Sequence, residues 1–330
     1  MEQPQPKAEG YPDAVQYALM TEPQQGLTYA EILALARAAE TAGIEAFFRS
    51  DHYGSFPGPD DEPTTDAWST LAGLARDTTT IRIGSLVSPV TFRIPGSFAK
   101  VVATVDEMSG GRVEVGIGAG WNEEEHLRLG IPFPSFGERY SRFEETLAIL
   151  HGLWTEPDGW SYPGRHWQVR DARYRPRPTF SGRRHPHLIL GGDGGPRLAR
   201  LVATWADEFN RQGATPDRLR EAYERVSTAC VDIGRDPDTV VRSAMVGVLV
   251  AETARELDDR ARQQAELVGA GGSADAWLAE RRGRWIIGTP DEARQGIEAL
   301  EGAGAQRIML QDFLPRDLEM VALLGRIAAG

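Results

Sequence analysis

Hydrophobic positions along the chain alternate between two rhythms. Short apolar runs of strand length are followed, repeatedly, by segments in which apolar residues recur every three or four positions, the spacing of one helix face. The runs at 15–20, 44–50, 81–87, 113–118, 187–190, 208–210, 243–250 and 307–311 predict eight strands. Helices are predicted between them. One is capped by Thr28 with Glu31 three residues on, carries Ile32, Leu35, Ala36 and Ala39, and closes at Gly43. Others carry Trp68, Leu71, Leu74 and Ala75, or open at Pro95 and stop at Gly110-Gly111. Further helices span 140–154, 196–205, 218–234, 253–268 and 291–302, and a last one begins near Asp317.

Strict strand-then-helix alternation implies a parallel sheet. Eight such units in 330 residues favour an α/β fold of the closed (β/α)8 barrel type (a TIM barrel) over an open, Rossmann-like sheet of six or seven strands. No Pro/Gly/Ser linker divides the chain, so residues 15–330 read as a single domain, preceded by a Pro-rich polar leader at 1–14 expected to be flexible. The surplus over a minimal barrel falls at 53–66, 122–139 and 268–288, read as loop insertions at the carboxyl face, and in an irregular Arg-rich zone at 155–186.

Composition removes several functions. The formal charge is −12, and of 36 cationic side chains only Lys7 and Lys100 are lysines. Neither lies in a phosphate-binding Gly-Lys-Ser/Thr loop, and an acidic chain lacks the basic face that nucleic acid requires. The single Cys230 excludes intramolecular disulfides and Cys-cluster metal sites. No metal is expected. The leader lacks the basic start and apolar run of a signal peptide, and no 18-residue apolar stretch is present, so a cytoplasmic protein away from membranes is expected.

In a barrel the chemistry sits at the carboxyl ends of the strands. That places Asp51 and His52, Ser88, residues 119–122, Gly191 and Gly192, Asn210, and Gln311 and Asp312 on one face. His52 there can act as acid, base or hydrogen-bond donor near neutral pH, or it can be a turn histidine beside a satisfied Asp51. The loop Gly191-Gly192-Asp193-Gly194-Gly195, followed by Pro196, has the glycines and helix start of an anion cradle, or of a flexible turn. The run 116–121 fails as a dinucleotide fingerprint because 121 is Trp and 123 is Glu; its glycines instead let a flat ligand approach the backbone. Glu123-Glu124-Glu125-His126 reads as a solvated helix start complementing the dipole. His185 and His187 lie at a strand's amino end and read as structural. Arg165, Arg170, Arg173, Arg175, Arg177, Arg183 and Arg184 form either a solvated loop or a docking rim for an anionic cofactor tail.

Two stretches carry a family resemblance. The run 82–95 with Ala99-Lys100, and its continuation Ala103-Thr104-Val105-Asp106-Glu107-Met108-Ser109-Gly110-Gly111-Arg112 through Gly116-Ile117-Gly118-Ala119-Gly120-Trp121, resemble the bacterial luciferase-like monooxygenase superfamily. Gly137-Glu138-Arg139-Tyr140, the 191–195 loop and Gly288-Thr289-Pro290 follow in the family's order, and the likeness runs from Val15 to Gln311. It is closest to the actinobacterial branch of coenzyme F420-dependent oxidoreductases. The resemblance implies a barrel that binds F420, or alternatively FMN, at its carboxyl face. It implies a non-proline cis peptide at Leu86-Val87 or Val87-Ser88. It implies a ring site near Asp51, Leu86, Val87, Ser88, Ala119, Gly120 and Asn122, and phosphate contacts at Tyr140, Gly191, Gly192, Asp193 and Gly194. His52, Asp51 and Trp121 would be the catalytic residues. Trp121 stands where the family's sugar-phosphate dehydrogenases have a catalytic Glu. With phosphate-holding lysines also missing, an apolar flat or aliphatic small-molecule substrate stacked on Trp121 is expected rather than a sugar phosphate. The implied activity is hydride transfer between the deazaflavin C5 and that substrate, with His52 assisting the proton; the alternative is an FMN-dependent monooxygenase using reduced flavin and O2. A homodimer and a separate cofactor-reducing enzyme are the partners the resemblance leaves room for.

Overall fold

A computed structural model of the chain describes residues 14–56, 61–178, 182–213, 215–269 and 273–330. All but Ala14 of the leader therefore lies outside the described residues.

The eight predicted strands are the eight staves of a closed parallel barrel. In barrel order they are β1 (Gln16–Thr21), β2 (Ala46–Arg49), β3 (Arg82–Pro89), β4 (Val113–Gly118), β7 (His187–Gly191), β8 (Glu208–Gln212), β9 (Val241–Val250) and β11 (Arg307–Asp312), and β11 pairs back onto β1. The enclosing helices are α1 (Tyr29–Thr41), α2 (Ala67–Asp77), α3 (Pro95–Ser109), α5 (Phe136–Thr155), α6 (Pro196–Trp205), α7 (Pro216–Asp232), α8 (Ala254–Leu267), α10 (Pro290–Glu301) and α11 (Leu318–Ala329). Their ends follow the sequence signals. Thr28 and Glu31 form a capping box on α1, and Gly110 ends α3 at φ 69°, a left-handed conformation that glycine adopts without strain. No helix among the described residues is long and apolar enough to cross a membrane.

The insertions hold structure that the pattern does not announce. The Arg-rich zone contains a hairpin, β5 (Trp160–Pro163) with β6 (Gln168–Ala172), where an irregular stretch is expected. Its turn is organised from outside: Glu145 of α5 accepts the backbone N–H groups of Arg165, His166 and Trp167 at 2.9–3.1 Å. Trp160 lies so close over Gly152 that a Cβ there would sit 2.2 Å from the indole. The 122–139 insertion holds the short α4 (Glu123–Arg128), and the 268–288 insertion holds α9 (Ala274–Arg281) and β10 (Ile286–Gly288), which pairs with the carboxyl end of β9.

Two cores result. The larger lies between sheet and helices; the smaller, inside the barrel, contains Ala18, Met20, Ala46, Phe48, Leu86, Ile189, Met245 and Met309. Along β11 the inward positions are Arg307, Met309 and Gln311, and the barrel interior is layered accordingly. At its amino end Arg307 Nη1 sits 2.6 Å from Glu114 and 3.0 Å from Glu208, Arg82 also pairs with Glu114, and His187 Nε2 is 2.9 Å from Glu208. Glu114, His187 and Glu208 form a donor set of the kind that holds metals. Here the Arg307 guanidinium supplies the positive charge between the two carboxylates, which are held below the usual range because burial is outweighed by Arg307 and its neighbours. His187 therefore belongs to the barrel's structural base, as its position at a strand start implies.

Candidate active site

At the opposite, carboxyl end the barrel opens into a cavity of about 620 Å³, within the usual range for a cofactor site. Among the described residues no lysine or arginine lines it.

Its floor is backbone. The Leu86-Val87 peptide is cis, at the first of the two positions expected. Val87 rests in a slot made by three glycines: a Cβ on Gly118 would lie 2.7 Å from its side chain, one on Gly191 2.9 Å, and one on Gly116 3.1 Å. The glycines of β4 and β7 thus serve close approach, as the sequence implies, but what they approach first is Val87. Leu86, Val87, Ala119 and Gly120 line the cavity.

One end of the cavity is suited to an anion. Gly191, Gly192 and Asp193 line it together with Tyr140, and the N-terminus of α6 follows, with Gly195 at the cap and no side chain closing its first N–H groups. Burial, and then Asp193, push the Tyr140 phenol up, so its O–H stays a donor. Asp193 itself is held by Arg211 at 2.8 Å. Gly194 does not line the cavity: it packs against Phe209 and Ala222, and its carbonyl accepts from Arg225 at 2.6 Å. The seven arginines of the 155–186 zone do not line the cavity. Arg175 pairs with Asp158 and Arg177 bonds the carbonyls of Trp154 and Glu156.

Another part of the lining is aromatic and acidic. His52 lines the wall with Phe56 and Trp121 edge-on to it, at ring distances of 4.5 and 5.6 Å. Trp121 is 66% exposed and, with the equally exposed Phe136, forms an apolar lip. The Asp51-His52 pair is split by the structure. Asp51 is fully buried behind the wall, where Arg93 holds both of its oxygens at 2.5 and 3.2 Å and Ser88 donates to it at 2.6 Å. Asp51 and Ser88 are therefore not cavity residues. Successive residues leaving a strand point to opposite sides, and His52 takes the inner one. Asn122 is also off the cavity, its carbonyl bonded to His126 Nδ1 at 2.6 Å.

The partner of His52 is instead Glu125. Its Oε1 is 2.9 Å from Nδ1, and its Oε2 accepts the backbone N–H groups of Tyr53 and Gly54 at 2.9 and 3.2 Å. Burial opposes ionisation here, but those bonds outweigh it and hold the carboxyl below the usual range. The acidic start of α4 is thus solvated only at Glu123 and Glu124; the helical turn carries Glu125 and His126 inward. Composition gives no signal that separates these three glutamates.

A second carboxylate, Glu22 after β1, lines the cavity between the amides of Gln24 (2.7 Å) and Gln311 (2.5 Å). Gln311 is among the strand-end residues expected on this face; Glu22, which directly follows β1, Phe56 and Met245 are not.

Comparison with known proteins places the chain in a family. FMNH(2)-dependent dimethylsulfone monooxygenase of Pseudomonas putida is 26% identical over 307 residues, covering 85% of this chain and 82% of that protein. F420-dependent glucose-6-phosphate dehydrogenase of Beutenbergia cavernae is 31% identical over 195 residues, covering 58% of this chain and 54% of the relative. Among solved structures, an F420-dependent secondary alcohol dehydrogenase in complex with an F420-acetone adduct superposes with a TM-score of 0.80 at 20% identity, over 95% of this chain and 98% of that one, a likeness of fold. The relatives include both flavin and deazaflavin enzymes. The family model described as luciferase-like monooxygenase matches residues 14–307, the whole span that carries the floor, the anion loop and His52, and the chain belongs to that family of oxidoreductases.

Proposed function

We propose that this protein is an F420-dependent oxidoreductase acting on a small, uncharged organic substrate. The observation that carries the reading is an imidazole, His52, held by a buried carboxylate at the cavity wall above a backbone floor. That is a proton-handling group placed beside a site for a flat ring, which suits a reaction that moves a proton and a hydride together. When bound, the deazaflavin supplies hydride transfer at its C5. The residues fit such a group: the glycine slot leaves room for a ring over Val87, and Tyr140, the 191–193 backbone and the start of α6 offer donors to its phosphate. The protein's own contribution is orientation, exclusion of water by the aromatic lip of Phe56, Trp121 and Phe136, and proton transfer at His52. Trp121 offers an apolar stacking face for such a substrate.

The second reading is an FMN-dependent monooxygenase supplied with reduced flavin by another enzyme. It is favoured by the FMNH(2)-dependent relative, whose likeness spans most of the chain. Parallel fluorescence titrations with F420 and FMN separate the two. Saturable F420 binding with no oxygen consumption in the presence of reduced FMN is the expected result; FMN binding alone, with oxygen uptake, overturns the first reading in favour of the second.

A further inference from the structure

A neutral imidazole carries one N–H, and either nitrogen can hold it; which one is set by its neighbours. At His52 the neighbours are unequal. Three nitrogens converge on Glu125: His52 Nδ1 on one oxygen, the donating N–H groups of Tyr53 and Gly54 on the other. A carboxylate held in its charged form has only acceptor sites, so the 2.9 Å contact requires the proton on Nδ1. Glu125 is 3% exposed and cannot swing away without stranding two backbone N–H groups. Phe56 and Trp121 pack against the ring from the side. His52 Nε2 has no partner among the described residues. The remaining polar groups near the ring are engaged elsewhere. Asp51 is neutralised by Arg93, His126 of α4 is bonded to Asn122 and Thr91 with burial pushing its pKa down, and Glu22 is held by Gln24 and Gln311.

We propose that Glu125 is a positioning residue that locks His52 in the Nδ1–H tautomer, so that Nε2 presents a lone pair to the cavity and selects ligands with an O–H or N–H donor at that point. The inference rests on His52 being the proton-handling residue and states its direction. From the neutral enzyme, Nε2 takes the proton of a bound hydroxyl or N–H group, that bond breaks toward the ligand heteroatom, and the imidazolium formed keeps Nδ1–H on Glu125. The opposite tautomer would make His52 a hydrogen-bond donor toward a carbonyl instead.

The requirement for a carboxylate gives the test. Glu125→Gln has one acceptor and one donor group. Turning its oxygen to the two backbone N–H groups keeps both bonds and presents its NH2 to Nδ1, which then must be the acceptor. The 330-residue chain, labelled with 15N histidine and without cofactor, is observed by nitrogen NMR at alkaline pH; His52→Asn identifies the His52 signals among the six histidines. In the wild type Nδ1 is expected in the N–H range and Nε2 in the lone-pair range, and in Glu125→Gln the two exchange. A wild-type spectrum with the proton on Nε2 overturns the proposal whether or not the variant folds, and so does an unchanged pattern in a folded Glu125→Gln. Because no cofactor is present, neither outcome depends on the F420 and FMN titrations that test the wider reading.

Discussion

The burial of Asp51 makes a quantitative claim about Arg93. Asp51 has one cationic partner among the described residues, Arg93, and otherwise accepts only from Ser88. Arg93 has two carboxylates, Asp51 at 2.5 Å and Asp66 at 2.6 Å, and Tyr53 at 3.3 Å. Removing the two partners is therefore not symmetrical. Arg93→Met leaves a fully buried carboxylate with no ion-pair partner, only the Ser88 hydroxyl and the charge of nearby Arg49, which costs about 3 kcal/mol. Asp51→Asn keeps the size and one acceptor, and leaves Arg93 paired with Asp66, so it costs about 1–2 kcal/mol. The double variant Asp51→Asn, Arg93→Met removes both charges and should recover much of the loss, with a coupling on the order of 2 kcal/mol. Urea unfolding of the full chain, read as midpoint shifts at constant slope, measures all three. If Arg93→Met costs no more than Asp51→Asn, or if the two changes are additive, Asp51 is not the buried anchor described above.

Three other outcomes follow from the same geometry. Gly118→Ala places a Cβ 2.7 Å from Val87, so overpacking should lower stability by about 1–3 kcal/mol and lift the floor, weakening F420 and FMN alike by tenfold or more in a fluorescence titration; unaltered affinity would show that Val87 does not bear the ring. Tyr140→Phe should weaken FMN by roughly five- to tenfold, the worth of one hydrogen bond, and leave riboflavin, which has no phosphate, unchanged by the same titration. Asp312 is buried with one oxygen unpartnered, and burial pushes its pKa up to about 7. A raised carboxyl contributes its stability below the unfolded value near 4 and loses it as pH climbs through 7, so Asp312→Asn should raise the melting temperature at pH 8, by about 2–4 kcal/mol of stability, and change little at pH 4. A variant equally stabilised at both pH values contradicts that account.

Much of this molecule can be read from one strand of text. The period of apolar residues, the Thr28 and Glu31 capping box, Pro95 and Pro196 at helix starts and Gly110 at a helix end are local signals, and each acts within about four residues. They were enough for eight strands, their helices, and the face on which His52, Trp121, Tyr140 and the 191–193 loop meet. The β5–β6 hairpin was not legible, because Glu145, some twenty residues earlier, satisfies its turn.

The chemistry of the site was legible in kind but not in pairing. Asp51 is adjacent to His52 in sequence, and adjacency suggests a couple; the strand's geometry sends them to opposite sides, one to Arg93 and the other to Glu125, 73 residues away. Three consecutive glutamates look alike until α4 is placed, and then helical phase turns one of them inward. Glu22 and Gln311 meet only because the first and last strands close the barrel. Sequence by itself determined the elements, their order and the end of the barrel where function resides, since propensity, periodicity and capping are short-range. Which acid holds the histidine, which is buried as an anchor and what fills the glycine slot were decided by tertiary structure alone, because those contacts are made across the barrel by side chains whose directions are set only when it closes.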